Sequence, residues 1–176
     1  MKKIIAFGGS PSKNSINKKL AVYATHLFQN VEIEVLDLND YEMPIFSVDR
    51  EKEIGIHPLA QQFFDKIGTA DLLVISLAEN NGAYSAAFKN IMDWTSRIPD
   101  GKFFQNKPLL LMATSDGARG ARLVLEMATS RFPRHGAEIK GTFSLPSFYE
   151  NFDTETGITN EDLRKELQGI VNRITF

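Results

Sequence analysis

Residues 2–17 read KKIIAFGGSPSKNSIN, and this stretch carries the pattern from which the fold is predicted. The apolar run Lys2–Phe7 is typical of a buried strand, and it ends at a pair of glycines. After a polar loop, apolar side chains return at helical spacing, which predicts a helix over roughly residues 15–29. The apolar side of that helix contains Ile16, Leu20, Tyr23, Ala24, Leu27 and Phe28.

Beyond this unit, short apolar runs continue to alternate with amphipathic segments. Val31–Leu36 alternates apolar and charged side chains, which is typical of an edge strand with one face in water. The other predicted strands are Leu72–Ile75, Leu109–Ala113 and Thr142–Leu145. Helical spacing predicts helices that contain Leu59–Ile67, Phe88–Thr95 and Leu123–Ala128, the last of them stopping near Pro133. With a terminal helix, the pattern predicts five strands and five helices in an α/β fold with a parallel sheet.

The remaining segments are interpreted as connections and a tail. Residues 39–55, around Pro44, form a loop longer than the usual ~4–6 residues, so either a functional loop or a surface excursion fits. Thr159, followed by Glu161 and Asp162, predicts the N-cap and acidic first turn of a terminal helix that ends near Ile174. We therefore predict a single domain over residues 1–176, with residues 151–176 as a helical tail.

Composition limits the classes of function. The net charge of −2 is spread over mixed acids and bases, so neither a nucleic-acid nor a membrane partner is expected. The absence of cysteine excludes disulfides, thiolate metal ligands and a thiol nucleophile. No metal site is expected either, because His26, His57 and His135 lie on separate elements without ligand spacing. The N-terminal apolar run is too short for a signal peptide, so a cytoplasmic location is expected.

The loop after the first predicted strand is rich in hydroxyl and amide side chains. Ser10, Ser12, Ser15 and Asn17 lie where the N-terminus of a helix offers free N–H groups and a partial positive charge, which favours an anion such as a phosphate. A third glycine of the dinucleotide fingerprint is missing, and so is the Gly-Lys-Ser/Thr of a Walker loop. Helix capping by Ser15 within ordinary turn chemistry is the other interpretation, and this loop alone leaves both open.

Two further loops carry a recognisable signature. Glu79, Asn81 and Gly82, followed by Phe88-Lys-Asn and Asp93-Trp94, resemble the TPEYNGS…LKNAIDW motif of the NADPH-dependent FMN reductase family. The first loop resembles that family's GSxRxxSxN motif through Gly9, Ser10, Ser15 and Asn17. Thr114–Gly120 stands where the family has a glycine-rich loop against the flavin ring. The resemblance covers roughly residues 1–150.

The resemblance implies a flavodoxin-like, doubly wound sheet of strand order 2-1-3-4-5 with helices on both faces. It also implies an enzyme that passes electrons from NADPH or NADH through bound FMN to a small acceptor, and a homodimer or homotetramer. Because FMN carries the electron chemistry, no catalytic side chain is required. Arg119, in the third loop, is a candidate for contact with an acceptor or the reduced ring. The residues that would contact FMN are Ser10, Ser12, Ser15, Asn17, Ala78, Glu79, Asn80, Asn81, Gly82, Ser115, Gly117 and Gly120.

This sequence departs from the family motif at three positions. Ser12 replaces the arginine of the first loop, and Ala78 and Asn80 replace the proline and tyrosine of the second. The tyrosine normally lies beside the flavin, so Tyr84 is considered as its replacement, with packing as the other explanation. Two alternative functions therefore stay open: an FMN-binding electron carrier and a flavin-free interaction module.

Overall fold

The computed structural model describes residues 1–99 and 101–176, in which five strands form one parallel sheet. The strands pair in the order β2-β1-β3-β4-β5, so the predicted strand order and the flavodoxin-like fold class are confirmed. β1 lies between β2 and β3, and each pair of neighbours runs in the same direction. The strands are β1 (Lys2–Gly9), β2 (Val31–Val35), β3 (Leu72–Leu77), β4 (Lys107–Thr114) and β5 (Ala137–Leu145).

Helices follow the strands and cover both faces of the sheet. They are α1 (Ile16–Thr25), α2 (Val48–Ile54), α3 (Pro58–Gly68), α4 (Ala86–Thr95), α5 (Arg122–Arg131), α6 (Phe148–Asn151) and α7 (Glu161–Val171). Two 3₁₀ turns, Leu38–Tyr41 and Phe132–His135, and a short antiparallel hairpin of β6 (Phe152–Asp153) and β7 (Gly157–Ile158) complete the chain. Within the described residues, no helix has the length and apolar character that crossing a bilayer requires.

The core has two apolar layers because successive side chains of a strand point to opposite faces. Ile5 and Phe7 of β1 belong to the layer under α3, α4 and α5, where Phe63, Phe88 and Trp94 are buried. The second layer, under α1 and α7, includes Ile4, Ala6, Leu20, Leu110 and Leu167. β3 and the last six residues of β4 are fully buried, which explains why their sequences are apolar except at Ser76 and Thr114.

Several predicted boundaries are corrected by the structure. α1 ends at Thr25 rather than near residue 29, and α5 ends at Arg131, where Phe132–His135 continues as a 3₁₀ turn. The terminal helix is capped by Asn160, not Thr159, because the Asn160 side chain accepts hydrogen bonds from the backbone N–H groups of Asp162 and Leu163. That helix ends at Val171 rather than near Ile174.

Two larger corrections concern segments without a simple apolar pattern. Residues 39–55 are not one loop, because they include the end of a 3₁₀ turn and all of α2. α2 has no buried residue, so no apolar periodicity marks it. The fifth strand begins at Ala137, not Thr142, because its first half is an edge segment whose charged Glu138 and Lys140 face water. α6 lies in the polar stretch where no element is predicted, and the β6–β7 hairpin occupies the first part of residues 151–176, which are predicted as a helical tail.

Candidate cofactor-binding site

A cavity of about 270 Å³ lies beyond the carboxyl ends of the strands, where the loops after β1, β3 and β4 meet. In sheets of this topology, ligands bind at this edge, at the point where the strand order reverses. The cavity brings together eight of the residues predicted to bind FMN, namely Ser10, Ser12, Ser15, Asn17, Ala78, Glu79, Asn80 and Ser115. Its lining also includes residues that the sequence interpretation missed, namely Asn14, Ile16, Thr114, Asp116 and Tyr149.

The first loop presents its hydrogen-bonding groups toward the start of α1. Ser15 is the N-cap of that helix, and its hydroxyl oxygen accepts a hydrogen bond from the backbone N–H of Lys18 at 3.1 Å. The capping interpretation is therefore correct, yet the Ser15 hydroxyl proton stays available to a ligand. Among residues 1–99 and 101–176, no acceptor is found for the backbone N–H groups of Ile16 and Asn17. This arrangement of donors suits an anion.

Asn17 connects three elements behind the cavity. Its side-chain oxygen accepts hydrogen bonds from the Ser76 hydroxyl at 2.7 Å and from the Thr114 backbone N–H at 3.0 Å. Its side-chain nitrogen donates to the Thr114 carbonyl at 3.1 Å. Only 3% of the residue is exposed. The Asn17 side chain therefore fixes α1 against β3 and β4, which is a positioning role beyond the phosphate contact that the motif implies.

Glu79 connects the second loop to α5. The helix begins after Ala121, which has a left-handed backbone and no capping side chain. The Glu79 carboxylate takes the place of a cap by accepting the backbone N–H of Val124 at 3.0 Å. A carboxylate at this position satisfies an otherwise free donor and faces the positive end of the helix dipole. The loops after β3 and β4 are thus held at a fixed separation.

Asn81 and Gly82 lie outside the cavity lining, in a tight turn. Asn80 and Ala83 form an antiparallel pair, with the Asn80 N–H donating to Ala83 at 2.9 Å and the Ala83 N–H donating back at 3.1 Å. Both central residues have positive φ, 52° for Asn81 and 76° for Gly82. Asn-Gly is the pair that type I′ turns favour, so the turn explains why the motif has asparagine and glycine at these two positions.

The loop after β4 also contains two kinds of residue, those that line the cavity and those that only support the loop. Ser115 lines the cavity, whereas Gly117, Arg119 and Gly120 do not. A Cβ on Gly120 would lie 2.4 Å from the Ser144 hydroxyl oxygen and 2.9 Å from the Pro146 backbone nitrogen, so this glycine permits close packing against the end of β5. A Cβ on Gly117 would meet nothing closer than 3.9 Å. Arg119 is exposed.

Asn90 and Trp94 of the motif hold a neighbouring loop and do not line the cavity. The Asn90 side chain accepts the Phe46 N–H at 2.8 Å and donates to the carbonyls of Met43 and Pro44. The Trp94 indole N–H also donates to the Pro44 carbonyl, at 2.7 Å. These bonds anchor the segment that precedes α2.

Tyr84 does not replace the missing tyrosine at the cavity. Its ring stacks on Phe132 at 5.7 Å and meets the edge of Phe88. Its hydroxyl is buried without a partner in the described part of the chain, and burial raises the pKa of that phenol. Packing is therefore the correct explanation for Tyr84, and the aromatic residue that lines the cavity is Tyr149.

The cavity offers neutral donors rather than cations. Of the described residues that line it, none is a lysine or arginine, and the two ionisable carboxylates are Glu79 and Asp116. Because Glu79 is already paired with the start of α5, hydroxyls, amides and backbone N–H groups carry the capacity to bind an anion.

A sequence profile described as NADPH-dependent FMN reductase matches residues 2–150. The chain belongs to the NADPH-dependent FMN reductase family. The predicted family is thereby confirmed, and so are its cofactor, FMN with NAD(P)H as electron donor, and its class, an FMN-dependent NAD(P)H oxidoreductase.

Individual relatives agree with membership of this reductase family. The chain is 29% identical over 155 residues to the uncharacterized protein MG342 homolog of Mycoplasma pneumoniae, covering 85% of this chain and 90% of the relative. It is 27% identical over 177 residues to an NADPH:quinone oxidoreductase of Arabidopsis thaliana, covering 96% and 88%. The solved structure of FerB, a flavoenzyme NAD(P)H:(acceptor) oxidoreductase from Paracoccus denitrificans, superposes with a TM-score of 0.77 at 25% identity, covering 98% of this chain and 94% of FerB.

Proposed function

We propose that this reductase passes electrons from NADPH or NADH through FMN to a quinone-like or other small acceptor. The observation that carries the proposal is the cavity itself, in which hydroxyl groups surround the N-terminus of α1 and two further loops close the sides. A quinone is the acceptor named for the Arabidopsis relative, whereas the description of FerB does not specify its acceptor.

The residues around the cavity fit FMN. Ser10, Ser12 and Ser15, with the backbone N–H groups of Ile16 and Asn17, would bind the phosphate. Ala78, Glu79, Asn80 and Ser115 would lie along the ribityl chain and the ring. Asn81, Gly82, Gly117 and Gly120 would shape the loops from behind, since they do not line the cavity.

Bound FMN would supply the hydride and electron chemistry, and the protein would bind and orient it. The connection from Asn17 to β3 and β4 keeps the phosphate loop in register with the other two loops. Glu79 keeps the loops after β3 and β4, which would border the ring, at a constant distance. Exposed Arg119 is the residue that we assign to contact with an acceptor or the anionic reduced ring.

Absorption spectra of the purified protein test the function directly. Protein incubated with FMN and desalted should keep the visible flavin band, NADPH or NADH should bleach it without oxygen, and a quinone should restore it. Ser10→Glu should lose the band, because a carboxylate would meet the phosphate in the cavity. The matched control Ser130→Glu, an exposed position on α5, should behave as wild type.

The two alternative functions give different results in the same experiment. An electron carrier would keep FMN but not be reduced by either nucleotide. A flavin-free interaction module would stay colourless, and FMN would leave its melting temperature unchanged. Either result would contradict the proposed reductase.

We also propose that the enzyme is a homo-oligomer that acts in the cytoplasm on small molecules rather than on nucleic acid. Ile45 is 77% exposed, and Val48 and Ile54 of α2 are 55% and 50% exposed. α2 as a whole has no buried residue. Exposed apolar side chains so close together in the sequence favour contact with a second copy. The molar mass from light scattering should be that of a dimer or a larger oligomer. Val48→Glu combined with Ile54→Glu should lower that mass toward the monomer. A monomeric wild-type protein would contradict the proposal.

A further inference from the structure

We propose that Tyr149 forms an aromatic wall of this cavity and packs its ring against the ring system of the flavin. The inference rests on the proposed function, because it assigns another residue to the same site. Tyr149 lines the cavity, yet 75% of the residue is exposed. A large side chain in water at the mouth of a polar cavity is the kind of surface that a flat ligand covers.

The backbone before Tyr149 is attached to the loop after β4. The Ser147 N–H donates to the Gly117 carbonyl at 3.0 Å, and the Phe148 N–H donates to the Ser115 carbonyl at 3.0 Å. Ser115 is itself part of the cavity lining. The position of Tyr149 is therefore fixed relative to the loop that borders the flavin.

Packing fixes the neighbouring side chain as well. Phe148 is buried and stacks on Phe152, with ring centroids 4.6 Å apart and an interplanar angle of 20°. Tyr149 meets the edge of Phe148 at 5.6 Å and 90°. Phe148 thus anchors the segment in the core while the next residue stays outside, so little ordering of the chain is needed when a ligand binds.

Ser147 gives this turn a rare conformation. It has φ 44° and ψ 61°, in the left-handed region that favours glycine. Strained residues of this kind persist where the surroundings hold them, and they cluster at ligand sites. The strained turn sets the direction in which α6 leaves β5, and with it the position of Tyr149.

The cavity otherwise lacks an aromatic side chain among its described lining residues. Asn80 stands where the family motif has tyrosine, and Tyr84 is packed in the core. Aromatic rings on rigid supports are efficient partners for heteroaromatic ligands because few rotatable bonds are frozen. Tyr149 supplies from the end of β5 the ring that the loop after β3 lacks.

Titration of the apoprotein with FMN and with riboflavin tests this assignment without an activity measurement. Flavin fluorescence should report binding to wild type, Tyr149→Ala and Tyr149→Phe. Loss of a stacking partner should raise both dissociation constants for Tyr149→Ala by a similar factor, about tenfold. Tyr149→Phe keeps the ring and should match wild type for both ligands. Melting of the apoproteins should be unchanged, because the side chain is exposed.

Four results would overturn the assignment. If Tyr149→Ala bound both flavins as wild type does, the residue would not contact the ligand. If only FMN binding weakened, or if Tyr149→Phe were as weak as Tyr149→Ala, the contact would be a hydroxyl bond rather than ring packing. If wild type bound neither flavin, the proposed function would fail too, which distinguishes that outcome from failure of the Tyr149 assignment alone.

Discussion

Asn17 uses both ends of its side-chain amide to join α1 to β3 and β4. Replacing it by alanine removes three hydrogen bonds. The Ser76 hydroxyl and the Thr114 N–H then lose their acceptor, and the Thr114 carbonyl loses its donor, all in a buried place. We expect Asn17→Ala to lower the free energy of unfolding by about 2–4 kcal/mol. Urea denaturation measures this change, and FMN binding should weaken with it because the loops lose their register.

Asn14→Ala is the matched control for this change. Asn14 is exposed, lies three residues earlier in the loop before α1, and lines the same cavity. Its replacement should alter the free energy of unfolding by less than about 0.5 kcal/mol. If Asn17→Ala kept full stability and lost only FMN affinity, Asn17 would act as a phosphate ligand alone.

Gly117 and Gly120 stand in one loop but face different surroundings. Gly120→Ala would drive a methyl group into the backbone of Pro146 at a φ of 59°, so we expect a loss of about 2 kcal/mol or more. Gly117→Ala has open space and should change stability by less than about 1 kcal/mol. Thermal melting of the two apoproteins compares them. Equal melting temperatures would show that the loop after β4 can move away from β5.

At the scale of elements, Glu79 acts as a cap that comes from another part of the chain. Glu79→Ala leaves the Val124 N–H without an acceptor and should destabilise the protein by about 1–2 kcal/mol. Glu79→Gln retains a carbonyl acceptor and should recover part of that loss. Guanidinium denaturation measures both, with exposed Glu126→Ala on the same helix as control. A loss for Glu126→Ala equal to that for Glu79→Ala would contradict the capping role.

The elements also show what the sequence could predict. The five sheet strands and most helices followed from apolar runs, because buried faces leave a strong periodic signal, whereas the strand order followed from the resemblance to the family. α2 buries nothing, so only its caps indicate it: Ser47, whose side chain accepts the Arg50 N–H, and Gly55 at φ 73°. Reading these capping residues would have found the helix.

The candidate site was predictable only in part. Hydroxyl-rich and glycine-rich motifs indicated the three loops, and the cavity joins residues of all three. The motif did not separate residues that face the cavity from those that shape a turn, such as Asn81 and Gly82. Tyr149 was missed because its place at the cavity depends on contacts between β5 and the loop after β4, which no local pattern encodes.

Across the whole molecule, ion pairs connect the edge strand β2 and the residues just after it to neighbouring elements. The hydrogen bond from Lys18 is the main cause that lowers the pKa of Asp37, and Lys3, followed by Lys66, lowers the pKa of Glu34. A carboxyl whose folded pKa is lower than its unfolded pKa stabilises the protein above the unfolded value, and that stability is lost as the pH falls through the folded pKa. Stability should therefore decline below about pH 4.

Replacing one carboxyl should make that decline smaller. Asp37→Asn has no charge to lose, so its melting temperature should fall less than that of wild type between about pH 5 and pH 3. Glu53→Gln, at an exposed position on α2, should follow the wild-type curve. Parallel curves for wild type and Asp37→Asn would show that the Lys18–Asp37 pair contributes nothing in solution.

The cavity, whose described lining has no lysine or arginine, offers an anion only neutral donors, and this has a practical consequence for handling the enzyme. Lysine or arginine contacts to a phosphate are screened by added electrolyte, whereas hydroxyl and amide donors carry no net charge to screen. Flavin retention should therefore change little between dilute buffer and molar sodium chloride. Ion-exchange elution or salt washing should yield coloured protein, and preparing the apoprotein should require denaturant or acid instead.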